Sequence, residues 1–353
     1  MARSRTGNEA KTKRRDEVRD AMSDASLAEK AHAALDEVAE FKAAASTCWC
    51  WSPVSAALKF PGVAVLSFAI ASMGYSFVGE FSNGALATVS RSQETLSEVA
   101  VLAGWRLIEL ALAWFGGLDG LDVAAMDLLS HAPALYLLSA FYSLSPLTAL
   151  AALTVDVASA AVPVMLMRPL TRPHRLMGKL HSGELVDLPL YLYTTALATG
   201  IYTVVLMLSM RFILPRILVL HFSGLPSLEA AYTASYFSLL PATMLFGAAA
   251  STFIFAPFAM TGRSEEDRLV ERFDPVTATL GQTFWWNVWG YTSRTKVIIR
   301  RTAATVFVTA VNTYLACTRT MFGVEPTGAT LYAAVWVSAA LCTGFGLGLV
   351  GGD

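Results

Sequence analysis

Charge is scarce in this chain: Asp, Glu, Lys and Arg make up 15% of its 353 residues, against about a quarter in a typical soluble domain. What charge there is crowds into the first fifty residues, and long later stretches have none. Four cysteines (Cys48, Cys50, Cys317 and Cys342) are too few and too scattered for a disulfide framework. None of the asparagines opens an Asn-x-Ser/Thr acceptor, in keeping with little chain on a glycosylating side of a membrane. Gly-x-Ser-x-Gly, His-Glu-x-x-His and P-loop patterns are all missing, so no catalytic residue, cofactor or metal set is indicated. A net charge of −1 offers no footprint for nucleic acid.

What the chain has instead is apolar residues, 55% of the total, with a mean hydropathy of +0.51. Several runs approach or exceed the roughly 20 residues needed to cross a hydrocarbon core of about 30 Å. Lipid offers no partner to a bare peptide group, so these runs should be helices. The strand alternation of a membrane barrel is absent. The expected class is therefore all-α, a polytopic transmembrane helical bundle.

Segments fall at 58–78, 99–118, 146–167, 189–210, 234–260, 302–318 and 329–350. A further stretch, 121–144, contains Asp122, Asp127, His131 and Pro133. With 146–167 it forms either a helical hairpin or one long helix preceded by a surface segment. Short cytoplasmic loops collect Lys and Arg, and this rule arbitrates. Eight crossings gather most basic residues, in 1–57, 168–188 and 261–301, on the side of the N-terminus; seven divide them evenly. An even number is expected: eight is favoured with both termini cytoplasmic, and six if 99–118 dips without crossing.

Residues 1–57 then form a cytoplasmic region ahead of the transmembrane domain 58–353. Met1–Arg15 is basic, with Glu9 its one acid, which allows a mitochondrial membrane. Acids become frequent from Asp16, unlike an import sequence, and favour an endomembrane or the plasma membrane. Residues 16–46 are rich in helix formers and should form a soluble helix able to meet a protein partner. In "TCWCWSP" (Thr47–Pro53), Trp49 and Trp51 suit a membrane interface. Cys48 and Cys50 have the juxtamembrane setting of palmitoylated thiols.

"FWWNVWGYTSRTKVIIRR" (Phe284–Arg301) repeats that theme. A helix starting at Asp274-Pro275 would carry Trp285, Trp286 and Trp289 near the headgroups, as a cytoplasmic interfacial anchor. Arg294, Lys296, Arg300 and Arg301 follow, suited to anionic lipid headgroups. His174 and His181, in the loop 168–188, lack companions at metal-ligand spacing. Within the crossings, Arg106 and Glu109 lie one turn apart, and Asp156 has no partner in its own segment. Intramembrane charges are functional candidates by default. Ala340, Gly344, Gly348 and Gly352 make a small-residue stripe for close helix packing, and Gly247–Ser251 could act likewise. Pro215 should kink or end a helix, with Arg211 and Arg216 at the interface.

"RFILPRILVLHFSGLPSLEAAYTASY" (211–236) and "FDPVTATLGQTFWWNVWGYTSRTKVIIRRT" (273–302) resemble segments of uncharacterised multi-pass membrane proteins of filamentous fungi. The resemblance implies a eukaryotic endomembrane and brings no activity or site residues. The leading expectation is a non-enzymatic protein organising or supporting a membrane complex. The alternative is a transporter or channel for a small solute, using Arg106, Glu109 and Asp156.

Overall fold

A computed structural model describes residues 53–171, 174, 188–259, 261, 267, 268, 270, 273 and 278–350. The helix expected at 16–46, together with Cys48, Trp49, Cys50, Trp51 and His181, lies outside the described residues. The chain divides between Lys59 and Phe60 into two units, and the bundle described below is the second.

The long helices are α1 (Pro53–Phe81), α2 (Leu96–Phe115), α3 (Gly120–Phe141), α4 (Pro146–Met167) and α5 (Leu188–Phe212). They are followed by the short α6 (Leu214–His221), then α7 (Tyr236–Ala250), α8 (Leu280–Trp289), α9 (Ser293–Leu315) and α10 (Pro326–Val350). Two isolated bridges, Ser90 with Met321 and Phe222 with Val324, are the extended pairings among the described residues. The protein is an all-α bundle. Six helices are long and apolar enough to cross a membrane: those at Leu58–Phe81, Gly120–Phe141, Pro146–Met167, Pro189–Phe212, Tyr236–Ala259 and Pro326–Val350. α2 and α9 have the length but carry more charge.

The stretch left ambiguous in the sequence is resolved as a hairpin. Asp119 caps α3 in a reciprocal box with Asp122, and Ser143, at φ 58°, turns the chain before Pro146 opens α4. α3 then packs along α4, α7 and α9, and buried residues lie all round it, as expected of a central helix. Pro133 sits inside α3 and leaves the Leu129 carbonyl without its N–H partner. Thr309 of α9 donates to that carbonyl at 3.4 Å, and Tyr332 of α10 donates to the Pro133 carbonyl at 2.7 Å.

Close packing elsewhere follows the small residues. A Cβ on Gly344 would stand 2.3 Å from the Thr302 hydroxyl oxygen, and one on Gly247 2.1 Å from that of Thr199. These contacts seat α10 on α9 and α7 on α5; Gly352 lies outside the described residues. Beyond Ala250 the α7 helix widens into a π-turn at Ser251–Phe255 before Ala256–Ala259 completes it. Pro215 does end a helix: α5 stops at Phe212 and α6 restarts with Pro215 in its first turn.

Two corrections concern the aromatic stretch. Its described helix, α8, begins at a capping box between Thr279 and Gln282, and Asp274-Pro275 lies outside the described residues. The segment expected at 302–318 begins earlier, at Ser293, where Thr292 caps the Thr295 N–H. Arg294, Lys296, Arg300 and Arg301 therefore belong to the first turns of α9.

The connections gather at two ends. At one, the Arg91 N–H donates to the Thr320 carbonyl at 2.8 Å and the Ser223 N–H to the Gly323 carbonyl at 2.7 Å. At the other, Arg168 binds the Leu118 carbonyl, Thr171 binds Asp119 and Arg301 binds Asp122. α2 and α9 both run from one end to the other.

Candidate functional site: a charged cavity between α2, α3, α4 and α9

Arg106 points from α2 into the bundle. One guanidinium nitrogen meets Asp127 at 3.0 Å and Glu109 at 3.4 Å. The other donates to the Ser159 hydroxyl at 2.7 Å and to the backbone carbonyl of Asp156 at 3.0 Å. The Arg106–Glu109 pair read from their spacing is thus present, and Asp156 comes to the same place. The Asp156 carboxylate itself accepts from the Tyr75 hydroxyl of α1 at 2.6 Å.

Four further residues complete the group. Asn312 of α9 donates to Glu109 and to the Ser130 hydroxyl at 3.0 Å, and its own oxygen accepts from the Trp105 indole. His131 lies one turn beyond Asp127, with Nδ1 3.2 Å from both the Asp127 carbonyl and the Ser130 hydroxyl. Glu109, Asp127 and Ser130 are almost wholly buried. Asp127 and His131 were visible in the sequence but not counted with the intramembrane charges, because they lay in the stretch whose course was open. Asn312 carries no charge, so nothing in its own segment marked it.

These side chains border a cavity of about 210 Å³. Its other walls include Leu102, Leu138, Leu315 and Met321, and it extends toward Thr320, at the Arg91 end. Glu109 and Asp156 border it and Asp127 adjoins it through Arg106, so three carboxylates stand against one guanidinium among the described residues. Even a charged His131 leaves the group one negative charge in excess. A lone charge at mid-membrane costs about 2.5–3.5 kcal/mol on insertion scales, so this excess calls for a proton or a cation.

A second cluster closes the opposite end. Asp119 accepts from the Leu121 and Asp122 N–H groups, from both donors of Thr171 and from His174 Nδ1 at 2.7 Å. Asp122 receives both guanidinium nitrogens of Arg301, which also donates to the Phe253 carbonyl. Burial alone would raise the pKa of Asp119 and lower that of His174. Their mutual hydrogen bond and the other donors to Asp119 reverse both tendencies, so Asp119 falls below the usual carboxylate range and His174 rises.

In each cluster three donor atoms lie within 4.8 Å of one another: Glu109, Asp127 and His131 beside the cavity, Asp119, Asp122 and His174 at the end. Protein donors already meet all four carboxylates: Asn312 at Glu109, Arg106 at Asp127, His174 and Thr171 at Asp119, Arg301 at Asp122. The second cluster is a neutralised clasp joining the start of α3 to α9 and to the chain after α4.

Of the aromatic anchors, Trp285 and Trp286 are exposed and α8 buries no residue. Trp286 stacks on Phe273 at 4.9 Å, and Arg300 lies 6.0 Å from the Trp289 ring centre. Arg301 is drawn inward by Asp122, unlike the surface role expected of it. No protein-family model, curated protein or solved structure matches this chain. What the fold and the site define is a class: a multi-pass helical protein of membrane type with a charged cavity among its helices.

Proposed function

We propose that this protein moves a small, positively charged solute across its membrane through the cavity between α2, α3, α4 and α9. The observation that carries this reading is the excess of carboxylates at that cavity: Glu109 and Asp156 in its lining and Asp127 beside it, against Arg106. A helix-registering salt bridge needs one acid for each base. Here Arg106 is outnumbered, and the apolar surroundings make the imbalance costly unless a proton or a cation relieves it; a bound cation is the relief that gives the cavity a use. The cavity also extends to the loops at one end, which gives the solute a way in. This reading displaces the organising role favoured by the sequence, for which the described residues add no comparable feature.

In this scheme eight helices cross, both termini are cytoplasmic, and the cavity faces the opposite side. α8 lies along the cytoplasmic interface, with Trp285 and Trp286 among the headgroups and the first turn of α9 beside anionic lipid. The test is reconstitution of the full chain into liposomes adsorbed on a solid-supported membrane. Jumps in sodium, potassium or a small organic ammonium chloride should displace charge for at least one of them, and Glu109→Gln should diminish the signal. A folded wild-type protein silent toward all three would sink the transport reading and return the organising role to first place.

A further inference from the structure

Among the acids in and beside the cavity, Asp156 is placed differently. Asn312 serves Glu109 and Arg106 serves Asp127, but Arg106 reaches Asp156 only at its backbone carbonyl. The one hydrogen bond to the Asp156 carboxylate among the described residues comes from Tyr75. Ser159 takes the remaining guanidinium nitrogen of Arg106, which holds the arginine against the helix instead of the acid. Asp156 thus presents a carboxylate with unused lone pairs to the cavity, midway along α4.

We propose that the cavity binds a small organic ammonium ion with Asp156 as its anchor, an assignment that rests on the transport reading above. An inorganic ion such as calcium gathers six to eight oxygens, and among the described residues Asp156 belongs to no cluster of three ligating side chains, its carboxylate meeting the Tyr75 hydroxyl. An ammonium needs one carboxylate for its N–H donors and apolar surface for its carbon skeleton. Leu102, Leu138, Leu315 and Met321 supply the second. Trp105, fixed through its N–H by Asn312 and packed edge-on to Phe307 at 5.9 Å, adds an aromatic wall of the kind cations favour. The cavity of about 210 Å³ exceeds what a bare metal ion fills.

The probe is isobutylammonium, with isobutanol and sodium as its neutral and inorganic counterparts, titrated calorimetrically into full-length protein in lipid nanodiscs. Isobutylammonium should bind saturably while isobutanol and sodium do not. Asp156→Asn should weaken it by roughly 10- to 100-fold, the loss of one charge-assisted hydrogen bond. Leu102→Trp leaves every charge in place, fills the cavity and should abolish binding, so it decides the matter if Asp156→Asn fails to fold. Equal affinity for isobutanol, no ammonium binding, or undiminished binding in either folded variant overturns the assignment. Charge displacement that needs Glu109 without ammonium binding would leave transport standing and remove only this substrate class. Ammonium binding without charge displacement would keep the site and remove transport.

Discussion

Arg106 is, among the described residues, the one fixed cation beside Glu109, Asp127 and Asp156, and it ties α2 to α3 and α4. Replacing a buried partner of an ion pair leaves an uncompensated charge and costs roughly 3–5 kcal/mol, whereas removing both partners costs far less. Arg106→Leu should therefore lower stability by about that amount, and adding Asp127→Leu should recover much of it. Unfolding in mixed micelles titrated with dodecyl sulfate measures both. If the double variant is no more stable than the single one, Asp127 is not the partner that matters.

The clasp at the opposite end responds to pH through different groups. His174 has a raised pKa, so its contribution is complete below the unfolded value near about 6.5 and is lost as pH climbs through the folded one. Asp119 has a lowered pKa, so its contribution is present above about 3.9 and is lost as pH falls through the folded value. The clasp should hold best between those limits. Stability followed upward from pH 6 should decline in the wild type, and His174→Gln should flatten that part of the curve. An unchanged slope in the variant would show that other groups set the pH dependence.

At the scale of helices, the polar residues between α3 and α9 stand in for backbone partners that Pro133 removes. Thr309 donates to the Leu129 carbonyl, and such interhelical bonds average about 0.6 kcal/mol in membrane proteins. Thr309→Val should cost about that much in the wild type and close to nothing beside Pro133→Ala, which restores the N–H within α3. A double-mutant cycle with no coupling would mean that the carbonyl finds another donor. The same helix pair shows what sequence can and cannot convey. Arg106, Glu109 and Asp156 stood out because each interrupts an apolar run. Asp127 and His131 did not, since their segment could equally be surface chain, and only the folded hairpin places them inside. Arg301 was grouped with its basic neighbours, yet its partner Asp122 is 179 residues away in the chain. No local pattern could reveal that pairing. Small residues were more legible: Gly344 and Gly247 pack as their spacing implied, because close approach depends on the glycine itself.

For the whole molecule, the distribution of Lys and Arg and the meeting of the loops are independent arguments that agree. The charge rule sets 79–98, 211–233 and 319–328 on one side of the membrane. The structure joins these loops at one end through Arg91 with Thr320 and Ser223 with Gly323. Loops assigned to the other side meet around Asp119 and Arg301. α2 and α9 fall short of an apolar span because they carry charges, yet those charges pair inside the bundle: Arg106 with Asp127, and Arg301 with Asp122. Pairing lowers the cost that hydropathy alone assigns to such helices, so eight crossings are physically consistent with six apolar spans. Single cysteines at Gly281 and Phe322, on either side of α9 and in a background with the native cysteines replaced, test this. Both positions are exposed, and an impermeant maleimide should reach them from opposite faces of sealed vesicles, with Gly281 on the cytoplasmic one. Labelling of both from the same face would mean that α9 does not cross, and would end the eight-helix scheme.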